Sequence, residues 1–568
     1  MEAMGETGSH HSSLNFPVEE PHPVAVSLPA TPRRVRSPAE SQMRVKMERE
    51  PSDFCWGDLH EDHLLRIMVC VLGPLVKKEH FLSNGIIIKH HHLEPTFLNN
   101  FADLAVLPQV CRRWRDIVKR SPPLWNCVNI DPTALGVPSE SRSWQKLFQW
   151  LGPHSQNFRV LRMSDAEACR DPTRDQLKLG ALCTLAHSVR VLHLDRCFHP
   201  SVGGHLVNVL GEFRNLTQLQ VANINPDFIA KIKCLRRLSE LKILEIQGSE
   251  DYWDRSWPML SLSPNVLPSK LETLSLSNIK VLAQPSETMK FRYLSTLEVI
   301  YTLWYGDFVK AITRITGLKH LSVRDCDRAI DDDDDGSVDN EIPGEREHWR
   351  EFQKLDQLES LDLTNLYCGN FTERLGKDLS GVSHLTALTS LKLCPEDIAS
   401  LTPCVVGEGL SVLTQLRELH LVNFGMRDVP KEVYRLPLLE ELSLAGNNLS
   451  RLPSEVPASS KTLKSIRLDI NCFDEIPMEL MYWENLTKVS LARNPLKFSK
   501  SLDFLADMRS LEDVILGQGH GVEVFPTGGT PLVERLCRDL KLETISAFHW
   551  GGLCTAIKLK KRTLRLLM

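Results

Sequence analysis

Leu439-Glu440-Glu441-Leu442-Ser443-Leu444-Ala445-Gly446-Asn447-Asn448-Leu449-Ser450-Arg451-Leu452-Pro453 is the stretch whose periodicity decides the fold. Apolar residues fall at Leu439, Leu442 and Leu444, then at Leu449 and Leu452, with an Asn between the two groups. The same grammar returns in Leu463-x-x-Ile466-x-Leu468-x-x-Asn471 and Leu486-x-x-Val489-x-Leu491-x-x-Asn494, and without its Asn in Leu416-x-x-Leu419-x-Leu421. A single copy cannot bury its own apolar side, so copies at a fixed spacing must stack on one another. The pair with one residue between predicts a short strand whose leucines point inward while the intervening side chain points out.

Working outward from that stretch, first apolar positions fall at Phe158, Val189, Leu216, Leu241, Leu271, Leu294, Leu318, Leu358, Leu388, Leu416, Leu439, Leu463, Leu486 and Leu511. This pattern resembles the leucine-rich repeat, which implies an α/β solenoid whose concave sheet serves as a binding surface. Early spacings, mostly 23 to 31 residues, leave room for a helix on the outer side of many turns; the later ones settle at 23 to 25. In the later group an Asn-x-apolar-x-x-apolar-Pro scheme predicts that the Asn amide bonds the backbone of the turn after each strand. Cys197 and Cys326 take the slot that Asn447 fills later, which predicts buried thiols.

The outward residues should align as a column: His193, Gln220, Glu245, Ser275, Glu298, Ser322, Asp362, Lys392, His420, Ser443, Arg467 and Ser490. Its mixture of signs and hydrogen-bonding groups suits a folded protein or peptide better than a uniform polyanion. His193, Gln220, Glu245, Glu298, Asp362, Lys392, His420 and Arg467 are therefore the candidate target-binding residues.

Composition narrows the classes. A net charge of -5 over 568 residues gives no field strong enough to imply nucleic acid or an anionic membrane. The 15 cysteines include no Cys-x-x-Cys pair, and no apolar run is long enough to span a bilayer. With no leader pattern at the N-terminus, the expected location is cytoplasmic or nuclear, and the sequons at Asn215, Asn370, Asn448 and Asn485 are read as idle. Phosphate-loop, nucleophile-elbow, zinc-protease and dinucleotide motifs are all missing, which predicts a chain that is not an enzyme and takes no cofactor or metal.

Ahead of the repeats, residues 1–52 are rich in Pro, Ser, Glu and His and read as a disordered tail. Residues 53–130 turn helical: Leu64, Leu65, Met68, Val71, Leu72 and Leu75 make one apolar face, Phe101 to Leu107 a second run, and Gln109 to Arg120 a third, after which Leu124-Trp125 leads into a short strand-like Val128-Asn129-Ile130. An insert near 77–96 carries His80 and His90-His91-His92, which cannot all face one ion from a regular element and so read as loop. Residues 131–157 form a linker or N-terminal cap, 158–535 the repeats, and 536–568 a C-terminal cap. Within the array, an acidic loop near 327–350 holds Asp331 to Asp335; its five carboxylates repel one another, and Ile342 stands where a calcium loop needs Glu.

The order Leu59, Leu64-Leu65, Ile67, then Leu107-Pro108-Gln109-Val110-Cys111-Arg112-Arg113-Trp114, then Leu124-Trp125 resembles the F-box, here joined to leucine-rich repeats. That resemblance implies docking on a Skp-type adaptor and, through it, on cullin and RING subunits, with the repeats holding an unidentified protein substrate for ubiquitination. It implies adaptor contact at Leu59, Leu64, Leu65, Leu107, Pro108, Val110 and Leu124, with Cys111, Trp114 and Trp125 divided between module core and partner. Two departures from the family pattern stand out: Leu59-His60 replaces the usual Leu-Pro opening, and the insert is longer than the module usually carries. The other reading of the same pattern is a repeat scaffold whose N-terminal helices only cap the first repeat.

Overall fold

Each of the fourteen first apolar positions read from the sequence is at most 2% exposed, which places the whole series in one continuous core. The computed structural model describes residues 112–130, 151–164, 172–249, 258–305, 308–328, 351–367, 379–395, 408–496 and 511–515, with a few isolated positions and the short outlying strands named below. The segments 1–52 and 329–350 and the helical runs before Arg112 lie outside the described residues.

The strands form a parallel ladder in which each repeat hydrogen-bonds to the next. Cys127–Ile130, Val160–Ser164, Val191–Asp195, Gln218–Ile224, Ile243–Gly248, Thr273–Ser277, Thr296–Ile300, His320–Arg328, Ser360–Tyr367, Ser390–Cys394, Glu418–Leu421, Glu441–Ser443, Ser465–Arg467, Lys488–Ser490 and Asp513–Ile515 succeed one another across it. The ladder begins earlier than the repeat series suggests. Cys127–Ile130 pairs with Val160–Ser164, and Asn99–Asn100 pairs with Val128–Asn129, so strand order reaches into the segment read as helical. In the insert, His80–Phe81 pairs antiparallel with Ile87–Ile88. At the far edge Arg562–Leu567 joins Asp513–Ile515 in parallel, and Leu553–Leu559 and then Leu542–His549 follow outward, each antiparallel to the strand before it.

Spacing dictates what returns the chain behind the sheet. The longer early repeats hold helices at Pro172–Leu185, Gly203–Leu210 and Pro226–Lys231, while later ones have room only for Lys431–Tyr434 or the 3-10 turn Met478–Tyr482. The helix at Pro226 starts where its sequence directs: Asn225 accepts a hydrogen bond from Phe228 N at 3.1 Å, and Pro226 occupies the position that needs no donor. No helix among the described residues is long and apolar enough to cross a membrane.

The exit from each strand is solved twice over. Seven residues after the first apolar position the backbone turns left-handed, at Arg196, Asn223, Asn278, Tyr301, Asp325, Asn365, Asn423, Gly446, Ile470 and Arg493. Asn, Asp and Gly tolerate this conformation best, and they hold most of these positions. At Gly446 a methyl group would sit 1.9 Å from Asn423 Oδ1, so a side chain there would have to displace that amide as well as take a left-handed φ.

One residue further on sits the turn anchor. Asn471 donates through Nδ2 to the carbonyls of Leu444, Leu468 and Asp469 at 2.9, 3.1 and 3.1 Å, and its Oδ1 accepts from Leu449 N at 3.0 Å. Asn447 and Asn494 repeat the arrangement. Cys197 and Cys326 fill the same slot as buried thiols outside any disulfide, donating to Met163 O at 2.8 Å and to Arg324 O at 3.0 Å. A second short ladder, Leu260–Ser261, Lys280–Leu282 and Leu303–Tyr305, runs beside the first and joins the end of His320–Arg328. Its strands are two or three residues long, below what sequence periodicity resolves.

Candidate functional site

Strand alternation puts one side chain in two on the outward face of the sheet, and parallel pairing then lines these up. The column expected from the sequence exists in register: His193 faces Gln220, Gln220 faces Glu245, and the pairing continues through Ser275, Glu298, Ser322, Asp362, Lys392, His420, Ser443 and Arg467 to Ser490.

The middle of this face is occupied with itself. Strands lie only about 4.8 Å apart, so opposite charges on neighbouring strands meet directly. Arg324 Nη2 lies 2.6 Å from Glu298 Oε1, and its Nε lies 3.9 Å from Asp362 Oδ2. Ser275 donates to Glu298 at 2.9 Å, and Thr364 to Asp362 at 2.6 Å. Further along, Lys392 Nζ sits 2.7 Å from Glu418 Oε1 and His420 Nε2 sits 3.3 Å from the same oxygen, while Ser390 donates to Oε2 at 2.9 Å.

Burial and pairing pull these carboxyls in different directions. Burial opposes ionisation of Glu418, yet hydrogen bonds from His420 and Lys392 and the lysine charge outweigh it, holding the carboxyl down at about 2. At Asp362 burial wins over Thr364 and Arg324, and the pKa is raised. Glu418, His420 and Glu441 bring ligand atoms within 4.8 Å of one another, the spacing of a metal site. The Lys392 ammonium already supplies the counter-charge at Glu418, which disfavours a cation there.

The C-terminal end of the face differs. Ser443 and Ser490 are 2% and 4% exposed, whereas the Arg467 side chain between them is 56% exposed. Asp469 holds the turn, accepting from Ala492 N at 2.9 Å and hydrogen-bonding the Ser490 hydroxyl, with Arg467 Nε 3.6 Å away.

Of the residues expected to touch an adaptor, Leu59, Leu64, Leu65, Leu107, Pro108, Val110 and Cys111 lie outside the described residues. Trp114 lies in the helix Arg112–Arg120, which ends before Ser121-Pro122 as the prolines dictate. The F-box resemblance expects Leu124 against an adaptor and divides Trp125 between module core and partner. Both are fully buried in this chain: Trp125 stacks on the His154 ring with centroids 3.8 Å apart and on Phe158 at 6.1 Å, closing the start of the repeat core. Burial, with a smaller contribution from Lys119, lowers the pKa of His154 and favours its neutral form in that stack.

Sequence reading passed over a buried ion pair in the outer helix Pro172–Leu185. Asp175 and Lys178 are both fully buried, 3.5 Å apart; the lysine donates to Cys197 O at 2.8 Å and the carboxylate accepts from His199 N at 2.5 Å. An acid and a base three residues apart look like a solvated helix face, and only the packing of that helix on the turn at Cys197 shows otherwise.

No family model matches the chain. It is 33% identical over 150 residues to a probable serine/threonine-protein kinase, pats1, of Dictyostelium discoideum, a match covering 26% of this chain and 4% of that protein. It is 28% identical over 167 residues to osteomodulin of Rattus norvegicus, covering 27% of this chain and 38% of that one. The chain thus spans well under two thirds of either relative. Among solved structures, a leucine-rich-repeat protein of Leptospira interrogans aligns with 59% of this chain and 90% of its own, at 17% identity and a TM-score of 0.30. The fold is a leucine-rich-repeat solenoid. Its buried leucine series, parallel in-register ladder and asparagine turns establish this by themselves.

Proposed function

We propose that this chain is the substrate-recognition subunit of a ubiquitin ligase of the Skp–cullin–F-box type. The F-box-like segment docks on a Skp-type adaptor, and the outward face of the repeat sheet binds the protein to be ubiquitinated. The observation that carries the binding half is the polar column running in register from His193 to Ser490, a broad ordered face of mixed chemistry that suits a protein partner. The docking half rests on the Leu107-Pro108-Gln109-Val110-Cys111-Arg112-Arg113-Trp114 and Leu124-Trp125 resemblance. The chain would act by proximity, raising the effective concentration of target lysines near a conjugating enzyme, with no catalytic residue of its own.

A second reading is a protein-binding scaffold outside any ligase, its N-terminal helix serving as a cap. The burial of Leu124 and Trp125 in the repeat core favours it. Co-expression of the full chain with a Skp-type adaptor separates the two. The ligase reading expects stoichiometric co-purification that Leu65→Asp or Leu107→Asp abolishes, and it fails if the unaltered chain retains no adaptor. Leu124→Asp is unsuited to this test, because a carboxylate at a fully buried position would disrupt the fold whichever reading holds.

A further inference from the structure

Left-handed backbone at the strand exit is inexpensive for Asn, Asp and Gly, and they hold six of the ten left-handed exits, Arg196, Tyr301, Ile470 and Arg493 holding the rest. Ile470 does not conform. It is β-branched, has φ of 53°, and leaves 43% of its surface exposed, so it is both strained and wet where Asn would be neither. Its amide bonds Ala492 O at 2.8 Å, the link that holds the turn, and any residue except proline would supply that. The neighbouring exits are Gly446, which has no side chain to cover it, and Arg493, which is exposed and also left-handed.

Around Ile470 the outward face is basic. Arg467 is the exposed member of its column between two buried serines, and Lys488 and Arg493 are exposed on the next repeat. Within Ser465–Ile470 and Lys488–Arg493 the acidic group is Asp469, and its oxygens are already engaged by Ala492 N, Ser490 and Arg467. On the flanking strands Glu441 is exposed opposite Ser465 and Asp513 half-buried opposite Lys488, which bounds the basic patch on both sides and leaves Arg467 and Arg493 as its cations without an acidic residue paired across the ladder. This contrasts with the middle of the sheet, where Glu298, Arg324, Asp362, Lys392 and Glu418 neutralise one another.

We propose that the Arg467, Ile470, Lys488 and Arg493 patch is the part of the face that grips the partner, and that it takes an acidic peptide segment with an aliphatic residue beside its carboxylates. The guanidinium of Arg467 offers the fork that a carboxylate matches, Lys488 and Arg493 extend the positive field, and the partner's aliphatic group covers Ile470. Strain retained at Ile470 is then explained by the contact it makes. This rests on the outward face being the target-binding surface and is independent of adaptor docking.

Selection of a displayed library of random peptides on the full chain tests it. Enriched sequences should combine Asp or Glu with a neighbouring Leu, Ile, Val or Met. A synthetic copy should bind more weakly as salt rises, and should lose about tenfold in affinity on Arg467→Glu and on Ile470→Asn. Ile470→Asn should keep or raise the Tm, since Asn relaxes the turn; a structural role alone would lower the Tm and leave binding unchanged. The proposal is overturned if nothing is enriched, if enriched peptides are neutral or basic, if Arg467→Glu binds them equally, or if phosphoserine peptides bind where Asp/Glu peptides do not. Adaptor retention without acidic enrichment would overturn this proposal alone. Acidic enrichment without adaptor retention would overturn only the ligase reading.

Discussion

At the scale of single residues, the turn anchors carry weight out of proportion to their size. Asn471 satisfies three carbonyls and one amide in a site where water does not reach, so removing its side chain strands buried backbone groups and leaves a void. Asn471→Ala should lower stability by about 3 kcal/mol, whereas exposed Asn448→Ala should change it by less than about 0.5 kcal/mol, as read from paired denaturant unfolding curves. The Asn-x-apolar-x-x-apolar-Pro spacing made this role legible, because an amide offers both donor and acceptor to the turn, where Cys197 and Cys326 use a thiol donor.

Asp175 and Lys178 present the opposite lesson. Neither neighbour in sequence signals burial, and the pair becomes visible only once the helix is packed. Desolvation raises the Asp175 pKa, so ionisation there depends on the lysine and on the His199 amide. Lys178→Met should therefore cost about 3–5 kcal/mol by leaving an uncompensated carboxylate, while Asp175→Leu combined with Lys178→Met should recover most of it. Equal losses in the single and double variants would show that packing of the lysine chain, rather than the charge, is what matters.

At the scale of elements, alternation within strands and register between them were readable in advance, since two inward leucines fix which side chains face out. The column from His193 to Ser490 is the result. What the pattern did not convey is how far neighbouring side chains satisfy each other. Signs that looked like a recognition code at Glu298, Asp362 and Lys392 turn out to be half-buried and paired across strands. The short Leu260–Ser261 ladder was missed, because two or three residues carry no measurable period, while the strand-like Val128-Asn129-Ile130 was read without its place in the sheet.

The Glu418 cluster gives this element a pH signature. Its carboxyl is held at about 2 against an ordinary 4.5, and a depressed carboxylate stabilises the fold above its unfolded value. That contribution should be intact above pH 4.5 and be lost as pH falls through the window down to about 2. Denaturation midpoints of the unaltered chain and Glu418→Gln should accordingly converge as the pH is lowered through that window. Lys392→Met should narrow the window from its acidic end, because part of the depression comes from that ammonium; an unchanged profile would assign the depression to His420 instead.

At the scale of the whole repeat array, each turn touches little beyond its two neighbours, so stability is a sum of local terms and the ends are the weak points. Near the N-terminal end Leu124 and Trp125 pack against His154 and Phe158, a plug set directly before the ladder strand Cys127–Ile130. Trp125→Ala removes a fully buried indole and should cost about 3–5 kcal/mol locally. In a one-dimensional array that loss stays near the end where it is made. Hydrogen exchange followed by mass spectrometry should show Cys127–Ile130 and Val160–Ser164 exchanging faster in the variant, a diminishing effect at Val191–Asp195, and no change at Ser465–Arg467. Uniform acceleration along the ladder would mean that the repeats unfold as one cooperative unit, and the neighbour-by-neighbour account of this sheet would then be wrong. Confinement to the first repeats would also mean that the face around Arg467 is energetically insulated from changes at the N-terminal end of the ladder.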